Sequence, residues 1–363
     1  MCNIAFITRE VDYHQYTAGP KIGKDIIKAC QKMGICVVYL EGKGIKYFLS
    51  LAKLRLEDID HVLLSYPNVP SMRYGGLCAF IKNFLEINLI YAKKKQFRSK
   101  VILLVRDLPI EQGNMMGLRI APGSRWLERL LFSISDIIGV MNQGMEEMIS
   151  QYYSAVKAKS VHYKFPPYFD SVIRKDARLE RPIQVAFVGD LLEYRLRGVI
   201  NSINEVYEIQ YNFYGPNGEW LRKLGRSDIR YAGVYPPEEI GKIINRENHV
   251  ALLLYDPKNE KITRYMSMAV TSKFMTYVFS GLPIITYSRY KNIAKMIRDY
   301  NLGWIFDEPS QIPSILSELD ENSYYNVTKS VIKFAESIVA EDYFGRFINA
   351  SLNKLSCGKE KIK

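Results

Sequence analysis

Histidine, cysteine and long apolar runs are all scarce in this sequence of 363 residues, and each scarcity argues against a class of protein. The 5 cysteines are scattered without the two-residue spacing of a zinc knuckle, and with 4 histidines a structural metal site is not expected. Apolar runs such as residues 134–140 fall short of the roughly 18 residues that a membrane helix needs. The start of the chain lacks a basic region followed by an apolar core, which indicates a first strand rather than a signal peptide. We therefore expect a cytoplasmic protein with reduced thiols.

Two phosphate-binding motifs are also missing, the G-x-G-x-x-G fingerprint and the P-loop, so dinucleotide binding and NTP hydrolysis lose their main support. The composition, with 48% hydrophobic and 24% charged residues, is that of a globular protein, and the length suits two domains. The net charge is +12, from 50 basic and 38 acidic residues. Nucleic acid, an anionic membrane surface and a phosphorylated small ligand are each compatible with that charge.

Strands alternate with helices in both halves of the chain, which predicts α/β architecture with parallel sheets covered on both faces. The predicted strands of the first half are residues 3–8, Cys36–Leu40, 61–65, Lys100–Val105 and 136–141, with a helix over 21–33. After a proline-rich break at 163–170, strands are predicted at Ile183–Val188, 211–214, 249–255 and 283–286, with helices at 237–245, 273–280 and 292–300.

The alternation predicts two Rossmann-like domains joined at the proline-rich break. The first spans residues 1–165 and the second residues 166–338. From residue 324 the pattern is that of one long helix, and we expect its last part, residues 339–363, to cross back to the first domain.

Glycines follow several predicted strands and mark candidate ligand contacts. Thr17 and Gly19 lie in a loop that opens into a helix, where free N–H groups suit an anionic or hydroxyl-rich ligand; a tight turn is the alternative. Gly189 ends the first strand of the second domain, and Arg195 follows it, able to bind a diphosphate or simply to face solvent. Tyr214 and Gly215 end the next strand, where a glycine lets a base or ribose approach the backbone.

The most informative segment is 271–286, in which a helix begins with Thr and Ser, carries an early lysine and ends at a glycine before a buried strand. A lysine at a helix start can reach a phosphate or ribose while the free N–H groups assist. Ser272 and Lys273 therefore join the candidate binding residues, and the resemblance described next adds Thr276 and Tyr277 of the same helix.

Residues 272–286 resemble the K-x-x-x-Y-hydrophobic-x-x-G-L-P-V-I segment of GT-B glycosyltransferases. Together with 187–190, 231–240 and 301–304, they make the chain similar to bacterial β-1,6-galactofuranosyltransferases of O-antigen synthesis and to the glucosyltransferases that extend glycans on adhesins. In the first domain, 64–67 and 104–107 match strand ends of the family. The resemblance implies two domains facing across a cleft and transfer of galactofuranose or glucose from a UDP-sugar to a hydroxyl of a growing cell-surface glycan.

The resemblance also implies roles for individual residues. Lys273 corresponds to the phosphate or ribose lysine and Arg195 to the diphosphate arginine, while the loop 17–19 would face the transferred sugar. Many relatives have glutamate at the position of Thr276, so the ribose contact differs here. Relatives also commonly show His-Asp where this chain has Arg106-Asp107, so a histidine base is excluded at that position.

Asp107 is the candidate base or acceptor-orienting residue, with capping of the turn before Pro109 as the alternative, and Glu111 is a second candidate. No D-x-D carboxylate pair follows a predicted strand, and GT-B enzymes generally work without a bound metal, so neither metal nor other cofactor is expected.

The segment 82–100 combines apolar residues with a basic end. Covering the sheet is its ordinary role, and contact with the inner face of the cell membrane is the alternative, which would suit a lipid-linked acceptor. Adhesin-modifying relatives assemble, so a homo-oligomer is expected, whereas a nucleic-acid partner is not. Alternative functions are a non-catalytic nucleotide-sugar-binding partner of a transferase and a nucleotide-sugar epimerase.

Overall fold

The computed structural model describes residues 3–9, 18–42, 44–68, 76–165, 172–175 and 178–360. Contacts divide the chain into two compact units. The first comprises Met1–Tyr13, Ile22–Tyr168 and Asp342–Lys363, and the second comprises His14–Lys21 and Phe169–Glu341.

The first unit is built on a six-stranded parallel sheet of order β2-β1-β3-β4-β5-β6. Its strands are β1 (Ile4–Arg9), β2 (Cys36–Leu40), β3 (His61–Tyr66), β4 (Lys100–Val105), β5 (Ile137–Val140) and β6 (Ser160–His162). The helices between them are α1 (Ala18–Lys32), α2 (Ile45–Lys53), α3 (Gly76–Phe97), α4 (Pro109–Met115), α5 (Ser124–Ile134), α6 (Gln143–Ser150) and α7 (Val156–Lys159). The inner strands are almost wholly apolar and buried, as expected for a parallel sheet covered on both faces.

The second unit has its own six-stranded parallel sheet, of order β12-β11-β10-β7-β8-β9. Its strands are β7 (Ile183–Val188), β8 (Ile209–Tyr214), β9 (Ile229–Gly233), β10 (Val250–Leu253), β11 (Ile284–Tyr287) and β12 (Gly303–Phe306). The accompanying helices are α8 (Glu193–Ile200), α9 (Ile240–Glu247), α10 (Glu260–Met268), α11 (Ser272–Phe279), α12 (Lys291–Tyr300), α13 (Ile312–Ser317) and α14 (Glu321–Ala340). The last helix of the chain, α15 (Tyr343–Glu360), belongs to the first unit.

The α/β class and the two parallel sheets are thus confirmed, and three local predictions need correction. The prediction of one long helix from residue 324 is wrong, because α14 ends at Ala340 and α15 begins at Tyr343. Between them Asp342 has a left-handed φ of 37°, and its side chain accepts a hydrogen bond from the Gly345 N–H at 3.1 Å. An αL residue stops one helix, and its carboxylate satisfies a free N–H at the start of the next.

The loop predicted around Gly19 is also shorter than expected. Helix α1 begins at Ala18, so Gly19 lies in its first turn and not in a loop before it. Thr17 lies outside the described residues. The third correction concerns strands β6 and β9, which the sequence pattern did not predict. Both are edge strands that contain polar residues, so neither has the apolar run by which the other strands were recognised.

Candidate functional site

Three neighbouring strands of the second unit end in glycine at the same edge of the sheet. Gly189 and Gly215 directly follow β7 and β8, Gly233 ends β9, and all three have positive φ, of 151°, 143° and 102°. The Gly189 N–H donates to the Tyr214 carbonyl at 2.9 Å, and the Gly215 N–H donates to the Gly233 carbonyl at 2.8 Å. A Cβ on Gly215 would lie 1.8 Å from the Gly189 carbonyl oxygen, so only glycine fits there. The carboxyl edge of an open parallel sheet is where such folds bind ligands, and bare backbone permits close approach.

Lys273 lies against the first of these glycines. Helix α11 begins at Ser272, and the Thr271 hydroxyl caps it by accepting from the Phe274 N–H at 3.3 Å. Lys273 follows in the first turn, and a Cβ on Gly189 would lie 2.6 Å from its Cε. The absence of a side chain at Gly189 is therefore what lets the lysine lie across the end of β7.

Two aromatic rings hold the Lys273 ammonium. Its Nζ lies 4.0 Å from the centre of the Phe187 ring and 4.6 Å from that of Tyr255. The faces of these rings attract a cation. Burial nevertheless lowers the pKa of Lys273 from 10.5 to about 7, with the attraction of Asp190 opposing that change and the repulsion of Arg195 adding to it. A buried ammonium of this kind gains most from a second, strongly negative partner such as a phosphate.

Arg195 lies in the first turn of α8, close enough to influence Lys273. Its Nη1 forms an ion pair with Asp190 Oδ2 at 3.2 Å, and Asn217 donates to the other carboxylate oxygen at 2.9 Å. The arginine side chain is 39% exposed, so its guanidinium can change partner without unfolding anything. Of the predicted site residues, Gly189, Arg195, Ser272 and Lys273 thus lie at one edge of the sheet.

Two other predicted binding residues, Tyr277 and Tyr214, are buried and form hydrogen bonds within the second unit. The buried Tyr277 hydroxyl accepts from the Val188 N–H at 2.9 Å and donates to the Leu252 carbonyl at 3.3 Å, which ties α11 to β7 and β10. The buried Tyr214 hydroxyl donates to Glu247 at 3.1 Å and accepts from Asn248 at 2.8 Å. Burial raises the pKa of both phenols, so they act as neutral hydrogen-bonding groups. Thr276 is half-buried on α11.

The two candidate catalytic carboxylates lie in the first unit. Asp107 lies two residues after the end of β4, where its Oδ1 accepts from the Leu108 N–H at 3.1 Å and its Oδ2 accepts from the Gln112 amide. Burial raises the pKa of Asp107 to about 6, against these hydrogen bonds and the nearby Arg106, which lower it. Asp107 therefore contacts the start of α4 and has a raised pKa because it is buried.

Glu111 differs from Asp107 in its surroundings. Its carboxylate pairs with Arg125, whose other guanidinium nitrogen lies 2.9 Å from the buried Glu128. The Tyr66 hydroxyl also donates to Glu128, at 2.8 Å. Glu111 is thus one end of an ion-pair network, an arrangement that favours a structural role.

Sequence reasoning missed Phe187 and Tyr255, the two rings that hold the lysine. Phe187 lies within β7, and Tyr255 comes shortly after β10, the strand next to it in the sheet. The sequence signal was a pair of aromatic residues near the carboxyl ends of two strands. That signal can be used only when the strand order in the sheet is known, and the sequence does not give the strand order. Among the described residues no group of three or more His, Cys, Asp or Glu is placed to hold a metal ion.

Part of the chain is similar to a known family of proteins. Residues 185–351 match the family model described as Glucosyltransferase 3-like, C-terminal domain. Glucosyltransferase 3 of Streptococcus gordonii is 30% identical over 94 residues, which span 25% of this chain and 28% of that protein.

Solved structures resemble the chain over nearly its whole length. Sucrose-phosphate synthase of Thermosynechococcus elongatus superposes with a TM-score of 0.65 at 11% identity, covering 99% of this chain and 98% of that one. The Anabaena protein HepE, solved in complex with UDP-glucose, gives a TM-score of 0.60 at 10% identity, with 98% and 99% covered. The chain therefore has the GT-B fold, and its residues 185–351 are similar to the Glucosyltransferase 3-like C-terminal domain.

Proposed function

We propose that this chain is a hexosyltransferase that moves a hexosyl unit from a UDP-sugar to a hydroxyl of a growing cell-surface glycan. Glucose and galactofuranose are the two donor sugars that the family resemblance supports. The observation that carries the proposal is the position of Lys273: a half-buried ammonium across the glycine end of β7, inside the segment that matches the Glucosyltransferase 3-like domain.

The donor diphosphate would bind at the start of α11. There the helix offers free N–H groups and the positive end of its dipole, and Lys273 adds a full charge. Arg195 would exchange Asp190 for a phosphate oxygen, because a diphosphate offers it a bidentate and more highly charged partner. The uracil and ribose would lie on the bare backbone at Gly189 and Gly215. UDP is the nucleotide we assign because HepE was solved with UDP-glucose.

In the transfer the bond between the sugar C1 and the β-phosphate oxygen breaks, and its electron pair leaves with UDP. A new bond forms between C1 and the acceptor oxygen, and the hydroxyl proton passes to a base. Lys273 and Arg195 would stabilise the charge that develops on the diphosphate, without a metal ion. Asp107 is the base we propose, since a carboxyl with a pKa of about 6 is ionised at neutral pH yet basic enough to take a proton.

A second candidate function is a nucleotide-sugar-binding partner that stabilises another transferase. The observation behind it is Thr276, a half-buried threonine on α11 at the position where many GT-B enzymes have a glutamate that binds the ribose. Donor binding without turnover would distinguish this function from catalysis.

A donor panel tests the proposal directly. Binding and slow hydrolysis would be measured with UDP-glucose, UDP-galactofuranose, UDP-galactopyranose, UDP-N-acetylglucosamine, GDP-mannose and dTDP-rhamnose. The wild type would be compared with Lys273→Ala, Arg195→Ala and a control, Lys329→Ala, which removes an exposed lysine of α14. We expect selective binding and hydrolysis of a UDP-hexose, lost in the first two variants and kept in the third. If no nucleotide sugar binds, the proposed function is wrong.

A further inference from the structure

Helix α3 of the first unit is turned so that much of its apolar surface faces solvent. Its inner face buries the polar residues Asn83 and Glu86. Glu86 forms an ion pair with Arg9 at 3.0 Å and accepts a hydrogen bond from Tyr47, whose ring lies 3.7 Å beneath the Arg9 guanidinium. Rotating the helix to bury its outer residues would break this buried pair, which is costly. The outward apolar residues are therefore a fixed feature of the fold.

These outward residues form one stripe. The α3 members recur at helical spacing, and Trp126 of α5 extends the stripe by stacking on Phe84 with ring centres 6.2 Å apart. All are between 38% and 72% exposed: Leu77, Ile81, Phe84, Leu85, Tyr91 and Trp126. We call this set the α3–α5 face. A run of large exposed side chains on one surface indicates a binding site, whereas single exposed apolar residues need no explanation.

The charges around the α3–α5 face have a single sign. Helices α3 and α5 together contain two acidic residues, Glu86 and Glu128, and both are buried. The exposed charged residues of the two helices are basic, and Lys82, Lys95 and Arg129 lie at the surface. Lys95 also lies beside a groove of about 480 Å³ between α3 and α5, with its Nζ 5.6 Å from the centre of the Tyr91 ring.

We propose that the α3–α5 face binds the surface of an anionic lipid bilayer. Lipid offers what this face lacks: phosphate groups for the lysines and arginine, and acyl chains for the apolar stripe. Trp126 and Tyr91 are residues that favour the boundary between headgroups and hydrocarbon. A second copy of the chain fits less well, since a symmetric contact through this face would bring basic residues against basic residues.

Flotation with vesicles tests the lipid proposal, and it needs no sugar transfer. The full chain is expected to float with vesicles of phosphatidylglycerol and phosphatidylethanolamine and not with vesicles of phosphatidylcholine alone. Lys82→Gln with Lys95→Gln should weaken partitioning about 25-fold, since each lysine near the surface contributes about fivefold. The matched control is Lys329→Gln with Lys333→Gln on α14, which has the same charge change and should leave binding unaltered.

The apolar stripe is tested by a second pair of variants. Ile81→Ser with Leu85→Ser should abolish flotation, while Tyr325→Ser with Val339→Ser, which changes comparably exposed residues of α14, should not. Thermal unfolding checks that all variants are folded, and sedimentation velocity follows assembly. If the wild type does not float, or if the patch variants alter assembly and leave flotation unchanged, the surface binds protein and the lipid proposal is wrong.

Discussion

At the scale of single residues, Lys273 shows how a residue that we propose for ligand binding can oppose stability. Its ammonium is held by two rings and half-buried at the end of β7, and this burial lowers its pKa to about 7. The unfolded chain would hold the same lysine fully hydrated with a pKa near 10.4. Folding therefore disfavours the charged form of Lys273, which is the form that would bind a diphosphate.

The first prediction concerns Lys273→Met, which keeps the unbranched apolar part of the side chain and removes the ammonium group with its charge. UDP binding should be lost, and the melting temperature at neutral pH should rise. Between pH 7 and about 10 the unfolded wild type binds a proton that the folded form does not, so its stability should rise with pH across that range. The methionine variant should lack this rise.

Calorimetric unfolding at a series of pH values, with UDP titrations beside it, measures both effects. Lys295→Met is the control, since that lysine is exposed and paired with Asp299 in the same unit. A methionine variant at position 273 that binds UDP as tightly as the wild type would show that the lysine does not contact the diphosphate.

The second prediction concerns Asp107 as the base. Turnover should rise with pH through about 6, because burial raises the pKa of this carboxyl to that value and the base acts in its ionised form. Asp107→Asn should lower kcat on the order of 10²–10⁴-fold and remove the rise, while leaving UDP affinity unchanged. A purely structural role would leave the pH profile in place. Glu111→Gln is the comparison, and it should keep the profile because Glu111 lies in an ion-pair network with Arg125.

At the scale of elements, the strands with an apolar run and the glycines that follow them could be predicted from sequence. Strands Cys36–Leu40, Lys100–Val105 and Ile183–Val188 were predicted with their observed bounds, because each is an apolar run ending at a polar residue or a glycine. Strands β6 and β9 could not be predicted, since polar residues interrupt them and they carry no such run. The end of α14 near Asp342 could not be predicted, because the apolar residues keep a helical spacing on both sides of it.

Part of the candidate site could likewise be proposed from the sequence. Lys273 and Gly189 were recognised from their positions at a helix start and a strand end. The rings around the lysine were not, because Phe187 and Tyr255 come together only through the pairing of β7 with β10. Likewise, the buried Glu86 that fixes the rotation of α3 looks in the sequence like an ordinary surface residue of an amphipathic helix.

The third prediction tests the strand-end glycines. Gly215→Ala would place a Cβ 1.8 Å from the Gly189 carbonyl oxygen at a φ of 143°, so both a backbone clash and an unfavourable φ oppose it. Gly225→Ala is the matched control, with a positive φ of 68° but nothing within 4 Å of the added carbon. The control should lose about 1–3 kcal/mol of unfolding free energy from strain alone. Gly215→Ala should lose clearly more, and UDP affinity with it, as urea unfolding and calorimetric titration would show. Equal losses in the two variants would mean that the strand ends are less tightly packed than their geometry indicates.

At the scale of the whole molecule, each unit has its own sheet and its own buried core. The chain leaves the first unit after Tyr168 and returns to it at Asp342, so α15 completes a domain whose other elements lie far earlier in sequence. No helix of the described residues is long and apolar enough to cross a membrane. With separate cores, unfolding should not be a single two-state transition, and a ligand of one unit should stabilise that unit.

The last prediction tests this independence through Phe347 of α15. The ring is 1% exposed, packs edge-on against Tyr163 with centres 5.9 Å apart, and fills the space that a Cβ on Gly139 of β5 would occupy. Phe347→Ala should destabilise the first unit by about 3–5 kcal/mol, because a large cavity forms beside the sheet. Calorimetry with and without UDP should show one transition lowered by the substitution and a different one raised by UDP. Val339→Ala, an exposed position at the end of α14, should move neither. If Phe347→Ala lowers both transitions together, then the two units unfold as one cooperative body and the stability of the donor site depends on both.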